Sequence, residues 1–415
     1  MFRLYLFLFM VCVRVGWAGE NVDIPDPHFK AFCVARYDTN GDGEISFKEA
    51  AAVTGGMHCG AQFIQNLSGI EAFINIDVLS CEMNGLTSLP GLSNNTKLTE
   101  LACYQNFLTG LPDLSQLAQL GFLYCEDNRL TSLPDLSNLS NLISLDCSDN
   151  RLTQLPDLSG LHQLKYLFLS RNQITSLPDL SGLSQMQELS CEENQLTALP
   201  EDLSGLKNLS ELRIRGNQIS ALPDLSVIPG LEILYCSDNP LTTLPDLSKS
   251  VGLRILICRN NQLSSLPPLP NSTSFIYLFC EDNQISELPD LSVYPNLQIL
   301  SCADNELTTL PDLSSLQNLF GVNCANNLLT DISTFANFPN LESFDCRGNQ
   351  LDLDACDVLW SIDANSNPQF FKYNPQGRFS YNFFLSELPT WPQTSRLSDL
   401  VMYVNHFTYD LMCFR

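Results

Sequence analysis

One pattern of residues recurs every 22 positions over most of the chain. Its consensus is L-x-x-L-x-C-x-x-N-x-L, which stands from Leu98 to Leu108 with cysteine at Cys103 and asparagine at Asn106. Successive cysteine positions are 22 residues apart except for one step of 23, where Glu201 is inserted. A fixed period of this length predicts a stack of similar units, each packed on its neighbours. The cysteine position falls at Cys59, Cys81, Cys103, Cys125, Cys147, Leu169, Cys191, Ile214, Cys236, Cys258, Cys280, Cys302, Cys324 and Cys346.

Each repeat is predicted to contribute one short strand. Leu101 and Cys103 alternate with Ala102, and alternate residues of a strand point to opposite faces. Strands from repeats of this length must stack in parallel, so the leucine and cysteine side chains form a continuous core. The asparagine three residues after each cysteine position is expected to satisfy backbone groups where the strand ends.

The return segment of the repeat carries Leu-Pro-Asp-Leu-Ser eight times, for example from Leu111 to Ser115. Proline prevents a long α-helix there, so we expect extended or single 3₁₀ turns on the outer side, with aspartate or serine capping local turns. Much of the net charge of -25 lies in these aspartates, which favours a solvated outer face over an acidic binding site.

The pattern resembles the leucine-rich-repeat superfamily and is similar to the 22-residue class of internalin-like surface proteins of bacteria. The resemblance covers about 70% of the chain. It implies an α/β leucine-rich-repeat solenoid, with a curved parallel β-sheet on the concave face, 3₁₀ or extended segments on the convex face, and a small helical N-terminal cap. The expected organisation is a signal peptide (1–18), an EF-hand-like N-terminal cap (19–56), the solenoid (57–351), and a C-terminal cap and tail (352–415).

The first 18 residues predict a secretory signal peptide. Arg3 precedes an apolar run from Leu4 to Val13, and small residues at Gly16 and Ala18 flank a plausible cleavage point. A secreted or cell-surface protein is therefore expected, with a short uncleaved membrane anchor as the alternative. No later stretch reaches the roughly 20 apolar residues that a spanning helix needs. The acidic charge argues against nucleic acid or anionic lipid as a partner.

Residues 38–49 match the twelve-residue calcium loop of an EF-hand or dockerin. Ile45 fills its apolar eighth position and Gly43 its sharp turn, and helices are expected from His28 to Tyr37 and from Phe47 to Val53. Because only one such loop is found and it precedes the first repeat, we expect Ca²⁺ to stabilise a cap rather than to act as a sensor. An acidic turn that binds nothing is the alternative. The expected Ca²⁺ ligands are Asp38, Asn40, Asp42, Glu44 through its carbonyl, Ser46 and Glu49.

The cysteines of the repeat are expected to be buried free thiols. Neighbouring parallel strands lie about 4.8 Å apart with parallel Cα to Cβ directions, so the Cβ atoms are too far apart for disulfides. Leu169 and Ile214 occupy the same position, which fits cysteine acting as a small hydrophobe. Metal binding is disfavoured because C-x-x-C pairs are lacking. The states of Cys33, Cys356 and Cys413 are left open.

The residues between the inward leucines and cysteines form the predicted concave face, where aromatics and arginines concentrate with glutamates nearby. This composition is typical of protein interfaces, although strands also favour aromatic and β-branched residues. Ile233 and Ile255 are expected on this face as well, and its pattern of large residues is expected to fade after Ile299. The expected partner-binding residues are Tyr104, Phe122, Tyr124, Tyr166, Phe168, Arg213, Arg215, Tyr235, Ile257, Arg259, Tyr277 and Phe279.

The sequence favours a binding protein over an enzyme. The four histidines stand in no recognisable catalytic motif, and no phosphate loop or nucleophile elbow is found. The predicted partner is a host or cell-surface protein. The alternatives are a structural envelope, matrix or adhesion protein without a specific protein partner, and a glycan binder that uses the same aromatics. Residues from Phe370 to Tyr373 were expected to add a last strand, and the tail from Phe383 to Arg415 to cover the end of the core.

Overall fold

The computed structural model describes residues 21–335, 338, 340–351 and 370–372. These residues form two compact units. The first comprises the described residues up to Gln262 together with Pro267–Pro270, and the second comprises Leu263–Leu266 and the described residues from Asn271 onward. The predicted signal peptide and nearly all of the predicted C-terminal cap and tail, with Cys356 and Cys413, lie outside the described residues.

Each repeat contributes one strand, as the alternation of leucine and cysteine predicted. In the first unit ten parallel strands pair in chain order, and in the second unit five do so. The strands are β1 (Gly55–His58), β2 (Ile76–Ser80), β3 (Glu100–Ala102), β4 (Phe122–Tyr124), β5 (Ser144–Asp146), β6 (Tyr166–Phe168), β7 (Glu188–Ser190), β8 (Glu211–Arg213), β9 (Ile233–Tyr235), β10 (Ile255–Ile257), β11 (Tyr277–Phe279), β12 (Ile299–Ser301), β13 (Gly321–Asn323), β14 (Ser343–Asp345) and β15 (Phe370–Lys372).

From β2 onward the pairing is in register within each unit, whereas β1 shifts by one residue against β2 between Gly55 and Gly56. Leu101 is paired with Leu123, and Leu123 with Leu145, so each column of the sheet contains one residue from each repeat. The inserted Glu201 does not change this register, because Leu189 is still paired with Leu212. The extra residue is accommodated in the return segment, where it is exposed.

The cysteine column is buried in the core. The twelve cysteines of the repeat are fully buried, and Leu169 and Ile214 are equally inaccessible at the same position. Burial raises the pKa of ten of these thiols, that of Cys236 to about 12. Cys33, which lies outside the repeat, is free and is also buried. Cysteine therefore acts here as a small apolar side chain with almost no thiolate.

The asparagines form the predicted ladder at the strand ends. The amide nitrogen of Asn150 donates to the carbonyl oxygens of Cys125 and Cys147 at 3.0 and 3.1 Å, while its side-chain oxygen accepts from the backbone N–H of Leu130 at 2.9 Å. The same bonds recur at Asn106 and Asn327, among others. Each asparagine thus joins consecutive repeats by satisfying buried backbone groups.

The chain turns out of each strand through one residue with a left-handed backbone. This residue lies two positions after the cysteine position, as at Asp149 with φ 53° and Gly216 with φ 67°. The return segment then follows with consecutive turns, such as Leu117 N–H to the Leu114 carbonyl at 2.9 Å. Asp113 accepts from the Ser115 N–H at 2.9 Å, which is the predicted aspartate cap.

Two helices precede the first strand, α1 (Pro27–Tyr37) and α2 (Phe47–Ala52). Asp26 caps α1, and the proline at its first position has no N–H to leave unsatisfied. Phe29 on α1 packs against Phe73 of the repeats, with ring centroids 6.4 Å apart. This small helical region therefore covers the start of the repeats, as solenoids require. No helix among the described residues has the length and apolarity to cross a bilayer.

Candidate functional site

The side chains that point away from the core form a surface that we call the sheet face. Every one of the twelve residues predicted to bind a partner lies on it and is half-buried. Ten of them lie in the first unit, and Tyr277 and Phe279 lie in the second. The expectation that Ile255 would be exposed is wrong, since only 7% of it is accessible. Ile255 is paired with Ile233 and stands two residues before Ile257, so apolar neighbours cover it.

Aromatic side chains lie in pairs along single strands of the sheet face. Phe122 and Tyr124 of β4 have ring centroids 6.2 Å apart and are inclined by 28°, and Tyr166 and Phe168 of β6 lie 6.5 Å apart at 9°. The Tyr166 hydroxyl also donates to the Gln187 side chain at 3.0 Å. These pairs present rings of fixed orientation, which lose little conformational entropy when a partner docks on them.

Arginine, aromatic and carboxylate side chains meet on β7 to β9. The guanidinium carbon of Arg213 lies 4.8 Å from the ring centroid of Tyr235. Its Nε atom is 3.6 Å from Glu188, and its terminal nitrogen pairs with Glu211. Ionic pairing and the ring face together hold this guanidinium in place. The predicted association of arginines with glutamates is therefore a real contact here.

Two acidic side chains that form no salt bridge within the described part of the chain are Glu126, which lies two residues after β4, and Asp146 at the end of β5. Burial raises the pKa of Glu126 to about 7, and the nearby carboxylate of Asp146 adds to this effect. The pKa of Asp146 is raised as well, again chiefly by burial. The Oε2 atom of Glu126 is buried and has no hydrogen-bond partner among the described residues. This part of the sheet face therefore favours a positively charged group.

Three exposed apolar residues near the strand ends of the first repeats were not predicted from the sequence. Phe63 is 78% exposed, Met83 57% and Phe107 46%. They stand two or four residues after the cysteine position, where most other repeats carry Asp, Glu, Asn, Gln or Arg. That departure from a polar column was the signal that could have found them. The guanidinium carbon of Arg129 lies 4.6 Å from the Phe107 ring centroid and covers part of it.

The predicted calcium loop lies between α1 and α2 with its oxygen donors turned inward. The Asp38 carboxylate accepts from the N–H groups of Gly41 and Gly43 at 2.7 and 2.9 Å. Asp42 accepts from the Glu44 N–H at 2.9 Å. The Glu44 side chain pairs with Lys30 at 2.5 Å. Glycine is required at Gly41 and Gly43, where φ is 76° and 81°.

Glu49 connects the two ends of this loop. One carboxylate oxygen accepts from the N–H and hydroxyl of Thr39 at 2.8 Å, and the other from the N–H and hydroxyl of Ser46 at 2.9 and 2.8 Å. These bonds lower the pKa of Glu49 to about 2, the bond from the Ser46 backbone contributing most. The group is therefore an anion at neutral pH, in the position that a bidentate Ca²⁺ ligand takes.

The donor set of the loop fits Ca²⁺ in its chemistry. Asp38, Asn40, Asp42 and Glu49 offer only oxygen atoms, and a hard cation of this size prefers them. In the described residues, no three His, Cys, Asp or Glu side chains converge closely enough to hold a metal ion by themselves. A bound ion would therefore also need the Asn40 amide, the Ser46 hydroxyl and the Glu44 carbonyl, which are the non-acidic donors of the predicted set.

Comparisons with known proteins agree with the repeat and the fold. Residues 119–271 match the family model of leucine-rich repeats in six overlapping segments, 119–160, 140–182, 162–208, 184–227, 207–249 and 229–271. No curated protein sequence matches the chain.

Several solved structures are similar over most of the chain. An internalin, inlF, from Listeria monocytogenes is 25% identical with a TM-score of 0.63, over 77% of this chain and 95% of that one. YopM, a leucine-rich effector protein from Yersinia pestis, is 29% identical with a TM-score of 0.63, over 80% and 85%. The functional domain of InlJ from Listeria monocytogenes, which includes a cysteine ladder, is 29% identical with a TM-score of 0.55, over 77% and 79%. The chain thus carries leucine-rich repeats over residues 119–271 and has a leucine-rich-repeat solenoid fold, in which it is similar to the internalins.

Proposed function

We propose that the protein is a secreted, non-enzymatic scaffold that binds another protein through its sheet face. The observation that carries this proposal is the row of half-buried aromatic rings and guanidinium groups on β4 to β9, of which Tyr124, Phe168 and Tyr235 are members. Aromatic and arginine side chains dominate the binding energy of protein interfaces. Repeat proteins of this kind offer extended surfaces for such contacts.

Strand propensity does not account for these rings. The strands β12 and β13 form in the same way with Ser301, Gly321 and Asn323 on the sheet face, where Ile299 is their one large side chain. Because the fold tolerates small polar residues at these positions, the aromatics of the first unit are not needed to make strands. They are better explained by contact with a partner.

The proposal is tested by capturing partners from extracellular and cell-surface extracts with three proteins. These are the wild type, a variant in which Tyr235, Ile257 and Phe279 are replaced by serine, and a control in which the exposed outer-side residues Gln116, Gln163 and Lys207 are replaced by serine. We expect the wild type and the control to recover the same protein and the first variant to lose it, with direct binding then measured on the purified partner.

Other outcomes contradict the proposal. Equal recovery by all three proteins, or recovery by none, would favour a structural envelope or matrix role. A ligand that survives protease treatment but not glycosidase treatment would identify a glycan binder instead.

We propose further that Ca²⁺ bound by residues 38–49 stabilises the N-terminal cap. The loop is tied to the segment that precedes α1, because the Val22 N–H donates to the Ile45 carbonyl at 2.7 Å. The cap is in turn tied to the first repeat through Asp26 and the Phe29–Phe73 contact. Neutralising the loop carboxylates with a cation would therefore strengthen the end of the repeat array, where a solenoid is most prone to fray.

A further inference from the structure

One cluster on the sheet face of the first unit contains its own cation. Arg213 of β8 is paired in register with Tyr235 of β9, and its guanidinium carbon lies 4.8 Å from the centre of that ring. Glu211, two residues before Arg213 on the same side of the strand, and Glu188 of β7 supply the carboxylates. An acidic and aromatic surface on this sheet thus accommodates a guanidinium group.

The same arrangement occurs five repeats earlier without the cation. Ala102 of β3 is paired in register with Tyr124 of β4, as Arg213 is with its tyrosine. Glu100 stands two residues before Ala102, as a glutamate does before Arg213. Ala102 is buried at 4% exposure. A methyl group therefore stands at the position from which β8 supplies its guanidinium.

The carboxylates around this position act on the same two tyrosines. The pKa of Tyr104 is raised by burial and then by Glu82, Glu126 and Glu100. The pKa of Tyr124 is also raised chiefly by burial, with Glu100 and Glu126 adding to it. The backbone also places these residues side by side, since the Cys103 N–H donates to the Tyr124 carbonyl at 2.8 Å and the Gln105 N–H donates to the Glu126 carbonyl at 3.0 Å.

These carboxylates have no cation of their own. Among the described residues, neither Glu100, Glu126 nor Asp146 forms a salt bridge, and the Oε2 atom of Glu126 is buried without a hydrogen-bond partner. Arg171 is the cation that acts on Asp146, but its guanidinium is bonded to Asp149 at 2.5 and 2.6 Å. Uncompensated carboxylates beside aromatic rings attract a guanidinium or ammonium group by charge and by cation–π contact.

We propose that Glu100, Tyr104, Tyr124 and Glu126 form a cation site that binds an arginine or lysine side chain of the protein partner. The proposal rests on the proposed function, because it names the chemistry that the partner presents to the sheet face. The stacked Phe122 ring beside Tyr124 extends the apolar side of the cation site. The partner is thus a protein with a basic residue flanked by apolar ones, which also suits the overall charge of -25.

The cation site can be tested without the partner, using two small probes that differ in charge alone. Nα-acetyl-arginine amide and its neutral analogue Nα-acetyl-citrulline amide are titrated against the full chain by saturation-transfer NMR at low salt. We expect the arginine probe to bind and the citrulline probe not to. Glu100→Gln with Glu126→Gln should weaken binding of the arginine probe by about five- to ten-fold, the range expected for a cation–π contact with ion pairing.

The control has the same change in charge on the outer face, where Asp113→Asn and Asp135→Asn remove two exposed carboxylates. It should bind the arginine probe as the wild type does. Equal weakening in both variants would show that the net charge, rather than the cation site, attracts the probe, and would overturn the proposal. Equal binding of both probes would overturn it as well.

A second pair of variants replaces Ala102 by a longer side chain that occupies the cation site. Ala102→Arg supplies the missing guanidinium, and Ala102→Met adds comparable bulk without charge. We expect Ala102→Arg to be the more stable of the two and to abolish binding of the arginine probe, and its advantage in stability to vanish when Glu100 and Glu126 are both glutamine. Equal stability of the two variants in both backgrounds would overturn the proposal.

The two proposals fail in different ways. If the captured partner is lost by the Tyr235, Ile257 and Phe279 variant but binds the Glu100 and Glu126 variant as it binds the wild type, the sheet face binds protein and only the cation site is wrong.

Discussion

The Oδ2 atom of Asp26 accepts a hydrogen bond of 2.8 Å from the backbone N–H of Gln65, which joins the N-terminal cap to the first repeat. The other oxygen of Asp26 accepts from the N–H groups of His28 and Phe29 at 2.9 Å and so caps α1. Burial raises the pKa of Asp26, but the backbone N–H groups outweigh that effect and the net shift is downward. One buried carboxylate thus caps α1 and also binds the backbone of the first repeat.

Replacing Asp26 should loosen the cap. We expect Asp26→Ala to destabilise it by about 2 kcal/mol, since the helix cap and the hydrogen bonds from the N–H groups of Gln65 and Asn66 are lost. Asp26→Asn should cost less because one acceptor oxygen remains. Hydrogen exchange of residues 21–58 measures the effect, and Asp23→Ala, at an exposed position, is the control. Unchanged exchange in Asp26→Ala would contradict this role.

The contribution of Asp26 should depend on pH with a definite sign. Its pKa is lower in the folded state, so the stabilisation is complete above the unfolded value of about 3.8. It is lost as the pH falls through the lowered, folded-state pKa. Wild type and Asp26→Asn should therefore converge in stability at strongly acidic pH and differ most near neutrality.

Calcium should raise the thermal stability of the cap. We expect binding in the range of roughly 10⁻⁴ to 10⁻³ M, as in extracellular modules, measured by titration calorimetry and by the unfolding temperature. Asp38→Ala with Asp42→Ala should abolish the effect, and Mg²⁺ at the same concentration should not reproduce it. If Ca²⁺ produced no heat and did not slow hydrogen exchange in residues 21–58, the proposed calcium site would be wrong.

Asn150 should be essential for the junction between its repeat and the preceding one. Asn150→Ala removes the side chain that bonds the buried carbonyls of Cys125 and Cys147 and the N–H of Leu130, so we expect a loss of about 3 kcal/mol in urea unfolding. Asn141→Ala, in the same repeat, is the control. Asn141 is exposed and makes one bond, to the Ala118 carbonyl at 2.8 Å, so its loss should be small.

Glu126 should destabilise the folded state at neutral and alkaline pH. Its pKa is raised from 4.5 to about 7 by burial and by Asp146, with smaller effects of Asp127 and Asp149. The folded state therefore holds the proton more tightly, and stability falls as the pH rises from about 4.5 to 7. We expect Glu126→Gln to stabilise the protein by about 1 to 2 kcal/mol at pH 8, after allowance for solvent screening, and to be neutral at pH 4.

The control for Glu126 is Glu201→Gln, which alters an exposed glutamate in a return segment. It should leave the slope of stability against pH unchanged. If the stability of Glu126→Gln fell with pH as steeply as that of the wild type, the Glu126 carboxylate would not be destabilised by its surroundings.

Features that repeat were predictable from the sequence, and so were the two helices that flank residues 38–49, whereas single contacts between distant residues were not. The strands, the buried cysteine column and the asparagine bonds follow from spacing alone, because each repeat packs on its neighbours in the same way. The Asp26–Gln65 bond joins residues 39 positions apart, and nothing periodic connects them. The exposure of Ile255 was predicted wrongly because alternation shows which side a residue faces but not how far its neighbours cover it.

The absence of an ion pair at Glu126 also needed coordinates. The sequence placed arginines and glutamates on one face, but it did not show that Arg213 satisfies Glu188 and Glu211 while Arg171 binds Asp149. Only the distances show which carboxylates are paired with a cation, and the cation site consists of carboxylates that form no such pair, together with the tyrosines beside them.

In the first unit, the in-register stacking of one residue per repeat fixes the distances between side chains of different repeats. Two groups on the same column are separated by a whole number of strand spacings, each about 4.8 Å. Duplication or deletion of a single 22-residue unit between β4 and β8 would move the cation site relative to the Arg213 cluster by one such step, while every buried leucine and asparagine kept an equivalent neighbour. Recombination between repeats could therefore re-space the contact points for a new ligand in discrete increments, without a new core having to evolve.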